Sequence, residues 1–221
     1  QPPAHLKMAL DGPKTGDYAM LAGYPGITYR HRTAAEFAAQ IQGTLPRRVE
    51  VFQQLIDTIE AATGDDAATR TLYASQLQSL KNNRKRAAGE LEGLLRSDAR
   101  TQRATDEQAM LAATDARYMD DIKALQQTLA QAASVGQRDM LLDLMAGQSQ
   151  LLRSALLLER LRIESAKPDA QRETGYQQRD IALIEGTLKQ VQRRYAPAVE
   201  KQLLTALLRR YQQLPDAQRL P

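Results

Sequence analysis

The chain has 221 residues, with 30 Lys and Arg against 26 Asp and Glu for a net charge of +4, no Cys, no Trp and two Phe. That length supports one sizeable core, while the missing cysteines exclude disulfides, thiolate metal sites and a cysteine nucleophile. No apolar run reaches the 18 or so residues needed to span a membrane, and abundant Ala, Leu, Gln and Arg point to packed helices.

Residues 1–16 are turn-rich and read as an irregular lead-in. Asp17 to Ala22 is a short apolar run that stops at Gly23-Tyr24-Pro25-Gly26, and Ile27-Thr28-Tyr29-Arg30 is again β-prone. Residues 17–30 therefore carry the strand-like signal of the chain, a strand–turn–strand that cannot form a stable sheet alone. Its missing partner strands indicate a larger body. The opening at Gln1 rather than Met fits a processed product or an excerpt.

From Thr33 onward the pattern is helical. Thr33-x-x-Glu36 is a capping box before Phe37 and Ile41. Gly43-Thr44-Leu45-Pro46 reads as a break, with Pro46 opening a second helix that carries Val49, Phe52, Leu55, Ile56 and Ile59 on one stripe. Gly64-Asp65-Asp66 ends it and caps a third helix bearing Leu72, Tyr73, Leu77, Leu80, Leu91, Leu94 and Leu95. Asp98 to Glu107 is polar, an exposed helix or a connection. Met110 and Leu111, then Tyr118, Met119, Ile122, Leu125 and Leu129, give a further amphipathic segment up to Val135-Gly136.

Arg138 to Ile163 is the most apolar part and reads as the central, most buried helix, bent at Gly147. Its six leucines from Leu151 to Leu161 read as core. Lys167-Pro168-Asp169 marks its exit; a helix over 180–195 follows, then one from Pro197 to Leu214-Pro215. The sum is an all-α bundle of about six to eight helices without a fixed-period repeat.

One stretch stands apart. Between Leu80 and Leu94 the third helix collects Asn82, Asn83, Gly89 and Gly93, all poor helix formers. Either another element packs closely on the glycines or the asparagines hold something polar; two solvated amides at a helix crossing is the plain alternative. Catalytic constellations are missing: His5 and His31 have no carboxylate at ligand spacing, Asp120-Asp121 point to different helix faces, and no phosphate loop or nucleophile elbow occurs. The segment alone is not expected to catalyse, and no metal or cofactor is expected.

The basic excess lies at the end: Val191 to Pro221 holds six Lys or Arg and two Asp or Glu. A stand-alone helical interaction protein, binding a partner or nucleic acid through that basic helix, is the rival reading. The basic residues alternate with Leu and Tyr at helical spacing, so nucleic acid is not the expected partner.

Four blocks in order resemble one bacterial family, the chymotrypsin-like dipeptidyl aminopeptidases of types seven and eleven. They are Gly16-Asp17-Tyr18-Ala19-Met20-Leu21-Ala22-Gly23-Tyr24-Pro25-Gly26 with Thr28 and Arg30; Asn82-x-x-Lys85 with Gly89-x-Leu91-Glu92-Gly93; Gly175-Tyr176-Gln177-Gln178-Arg179-Asp180; and Leu208-x-x-Tyr211-x-x-Leu214-Pro215.

The resemblance implies an exported (periplasmic or secreted) serine peptidase with two β-barrels and an inserted helical domain, and a homodimer as its assembly. Residues 1–32 would be the lead-in and barrel edge, and 33–221 the helical lid domain. The triad His and Asp would precede residue 1 and the Ser would follow residue 221. Asn82 would hold the free amino terminus of the peptide, with Asn83, Lys85, Gly89 and Gly93 in support. Ile27, Tyr29, His31, Lys81, Arg86 and Ala87 depart from the family pattern, which bears on the detail of that pocket. Side-chain preference would be set in the barrel.

Overall fold

In a computed structural model, residues 10–18, 20 and 32–220 are described. Chain contacts divide the protein into two units, Gln1–Arg32 and Thr33–Pro221. In the first, a turn is closed by the Asp17 amide on the Lys14 carbonyl at 3.1 Å and the Lys14 amide on the Asp17 carboxylate at 2.7 Å. The strand–turn–strand expected over 17–30 lies almost wholly outside the described residues. Asp17, Tyr18 and Met20 are described and are not in a strand; among the described residues there is no strand at all.

The second unit is helical: α1 Ala34–Ala39, α2 Leu45–Thr63, α3 Ala67–Arg96, α4 Ala99–Ala113, α5 Met119–Gln148, α6 Gln150–Ser165, α7 Ile181–Arg194 and α8 Pro197–Gln212. The capping box at Thr33 forms as its residue types require. The Thr33 hydroxyl accepts from the Glu36 amide at 3.2 Å, and the Glu36 carboxylate accepts from the Thr33 amide at 2.9 Å.

The expected break at 43–46 is instead a π-helical turn, Gln40–Thr44, that joins α1 to α2 without a gap. Its wide ring, closed by the Leu45 amide on the Gln40 carbonyl, accommodates Pro46, whose ring would clash with an ordinary α-turn and which has no amide to donate.

Gly64, at φ 48°, reverses the chain after α2. Asp66 then caps α3 by accepting from the Ala68 amide at 3.0 Å. The resulting α2–α3 hairpin, with α5 and α8 packed against it, forms the core. Val51, Leu55 and Ile59 from α2 meet Tyr73 and Leu80 from α3, Leu141 and Met145 from α5, and Val199, Leu203 and Leu207 from α8. Burial raises the Tyr73 phenol above its ordinary pKa of 10.0.

The stretch 138–163 is not one bent central helix. Residues 119–148 run as a single helix through Val135-Gly136, and Ser149 leaves the helical conformation at ψ 116° to cap α6. Only part of the α6 leucine set faces inward: Leu152 packs against the core and Leu157 and Leu161 are half-buried, whereas Leu151 is 54% exposed, Leu156 50% and Leu158 47%. They fall on two sides of a helix that packs against α5 and α7, and α8 takes the central place instead.

In the last turn of α6, fully buried Glu164 organises the connection to α7. It accepts from Lys167 Nζ at 2.7 Å and the Glu173 amide at 2.9 Å, with Arg160 at 3.7 Å. The Gly175–Asp180 block folds on itself: Gly175 takes φ 96°, and the Asp180 carboxylate accepts from the Gly175 and Gln177 amides, both at 3.1 Å. At the chain's end Leu214 is buried, and the Tyr211 hydroxyl accepts from the Leu220 amide at 2.7 Å.

Candidate functional site

The buried side of α3 is set by Tyr73, Leu80 and Ala87, recurring every seven residues. At 3.6 residues per turn, Asn82, Lys85, Gly89 and Gly93 then form a stripe on the opposite side. All four are exposed. α3 thus has one face committed to the core and one facing outward.

The two asparagines do different things. Asn83 Nδ2 donates to the Ser79 carbonyl at 2.9 Å, which ties its amide to its own helix. Among the described residues, no hydrogen bond engages the Asn82 side chain. Its carbonyl is an open acceptor and its NH2 an open pair of donors. Lys81, one position earlier, is held by Glu60 of α2 at 2.6 Å, which anchors this turn of α3 to the core hairpin. Lys85 has no carboxylate partner among the described residues.

The glycines do not serve a close approach within this chain. A Cβ added at Gly89 or Gly93 would meet nothing within 4 Å. The sequence alternative of a neighbour packed on them is therefore not realised among the described residues. What they leave is a bare strip of helix backbone beside Asn82.

No group of three or more His, Asp or Glu that could hold a metal occurs among the described residues, and no described helix is long and apolar enough to cross a membrane. His5 and His31 lie outside the described residues. What the outward face of α3 offers is the unengaged amide of Asn82, with open space at Gly89 and Gly93.

The whole chain, residues 1–221, matches the family model for peptidase S46. The chain belongs to that family. It is 33% identical over 98% of its length to an Asp/Glu-specific dipeptidyl-peptidase of Shewanella putrefaciens, covering 30% of that relative. It is 28% identical over its full length to an Asp/Glu-specific dipeptidyl-peptidase of Porphyromonas endodontalis, covering 31% of it. It is also 27% identical over 97% of its length to dipeptidyl-peptidase 7 of Porphyromonas gingivalis, covering 29% of it. The chain thus spans about a third of the length of these S46 relatives.

Two features of this S46 segment escaped the sequence reading. One is a pair of buried carboxylates, Glu164 and Glu200, whose positions on helices look like any solvated acidic residue. The other is a groove beside the Asn82 stripe, lined by Arg153 and Arg194 from α6 and α7. Residues so far apart in sequence carry no local signal of meeting.

Proposed function

We propose that this chain is the helical substrate-positioning domain of a serine-type dipeptidyl aminopeptidase, exported to the periplasm or beyond, whose triad lies in β-barrels outside residues 1–221. Residues 33–221 act as the lid over the barrel cleft, residues 1–32 lead in from the barrel, and the whole protein assembles as a homodimer. Asn82 accepts a hydrogen bond from the peptide's ammonium group, which offers three donors and no acceptor. Fixing the terminus at a set distance from the scissile bond measures off two residues. Asn83 stiffens that turn of α3, Lys85 stands one turn away, and Gly89 and Gly93 leave room for the bound chain.

The observation that carries this reading is the Asn82 amide, unengaged and outward-facing in a family of dipeptidyl-peptidases. A water-excluding lid would strengthen such a contact. The rival is a stand-alone helical interaction protein that binds a partner or nucleic acid through its basic C-terminal helix. Arg193, Arg194, Lys201 and Arg209 have no carboxylate partner among the described residues, and two arginines do. Arg210 is engaged by Glu50 at 2.8 Å and by Gln54, and Arg219 pairs with Asp216.

The test is to incubate the full-length protein with peptides of known sequence and read the products by mass spectrometry, alongside labelling by a serine-directed fluorophosphonate. The proposal expects dipeptides released stepwise from free amino termini and a label outside residues 1–221. A label within this segment, or release of single residues or internal cleavage, contradicts it.

A further inference from the structure

The groove beside the Asn82 stripe runs between α3 and the α5–α6 junction and has a volume of about 270 Å³. Leu72, Ser75 and Ser79 form its α3 wall; Gln148, Arg153 and Arg194 face them. Two arginines and no Asp or Glu line it. Neither arginine is paired with a carboxylate among the described residues, and both are exposed. The lining is therefore positive with no negative side chain in it.

Position decides what it is for. Ser75 and Ser79 stand about two turns and one turn before Asn82 on the same outward side of α3. On the reading that Asn82 reaches a peptide held in the barrels, that side of α3 faces the barrels, and the groove is covered with it. Covering two unpaired guanidinium groups is strongly unfavourable unless counter-charges arrive with the cover. Leu72, 39% exposed at the groove wall, gives the same contact apolar area to bury.

We infer that the Arg153–Arg194 groove is a docking surface for an acidic segment of the catalytic part of the same protein, whose carboxylates pair with the two guanidinium groups when the helical domain closes. The fork of an arginine suits bidentate pairing with a carboxylate, so the contact fixes the orientation of the lid as well as its position. This rests on the substrate-positioning reading for the direction α3 faces; its own content is the pair of arginines and their partner.

Phenylglyoxal footprinting of the full-length protein, read by mass spectrometry, tests it without any variant. Arg193, exposed and unpaired in the same last turn of α7 as Arg194, is the internal reference. Arg153 and Arg194 are expected to react about tenfold more slowly than Arg193 in the absence of peptide, with the protection fading as salt is raised. Equal reactivity of all three would overturn the inference. So would protection that appears only when an acidic peptide is added, because the groove would then be a substrate subsite. In the same protein Arg153→Gln/Arg194→Gln should raise KM about fivefold for neutral and acidic peptides alike, and Asn82→Ala should leave the footprint unchanged. A silent Asn82→Ala with an intact footprint would remove the Asn82 role and leave the docking surface standing.

Discussion

Ser149 donates its hydroxyl hydrogen bond to Glu200, joining the start of α6 to the first turn of α8. Both residues are buried. The same carboxylate accepts from the Leu151 amide at 3.1 Å and the Gln150 amide at 3.3 Å, while the Ser149 hydroxyl accepts from the Leu152 amide at 3.0 Å. The free amides at the start of a helix are thus satisfied by a side chain 50 residues away in sequence.

Removing that carboxylate leaves buried donors without partners. Glu200→Ala should cost about 3 kcal/mol, and Ser149→Ala about 1–2 kcal/mol. Because the two share one network, the double variant should lose less than the sum of the singles. Urea denaturation of the three variants checks this.

Glu164 makes the connection between α6 and α7 sensitive to acid. The hydrogen bond from Lys167, then that from the Glu173 amide, hold its carboxyl below the ordinary value of 4.5. A lowered carboxyl pKa contributes stability above the ordinary value that is lost as pH falls through the lowered one. Acidification below about pH 4.5 should therefore loosen residues 165–180 first. Amide exchange over that segment should rise with acidification in the wild type, after correction for intrinsic rates. In Glu164→Gln it should already be fast at pH 7 and show little further dependence.

Leu203 and Leu158 test where the core lies. Leu203 is 0% exposed at the centre of α8, and Leu203→Ala should cost about 2–5 kcal/mol. Leu158→Ala, on the exposed side of α6, should cost less than about 1 kcal/mol. Thermal melts of the two variants should separate them clearly.

That contrast marks what could be read from the chain and what could not. Capping at Thr33 and Asp66, the chain reversal at Gly64, the start at Pro197 and the end near Leu214 were legible because each depends on residues within a few positions. The spacing of Tyr73, Leu80 and Ala87 also places Asn82 on the outward side of α3. Leu151, Leu156 and Leu158 of α6 were misread because hydrophobicity alone does not say which of two apolar helices is central; α8 wins by packing between α2 and α5. Glu200 and the Arg153–Arg194 groove were invisible because their partners are remote in sequence.

Gly89 separates stability from function. Its backbone is ordinary helix and a Cβ there meets nothing within 4 Å, so Gly89→Ala should stabilise the domain by about 0.5–1 kcal/mol. If the bare strip beside Asn82 admits the peptide, the same substitution should raise KM in the full-length protein. Denaturation and kinetics on one variant read both effects.

Asn82 carries the central claim, and the direct measurement is kcat/KM for dipeptide release by the full-length protein and its Asn82→Ala variant. It is made on a peptide with a free amino terminus and on the same peptide acetylated there. Losing a hydrogen bond to a charged group should lower kcat/KM on the free peptide by about 10–100-fold and abolish the wild type's preference for it over the acetylated one. Unchanged kcat/KM and an undiminished preference in Asn82→Ala would place recognition of the amino terminus elsewhere and contradict the account.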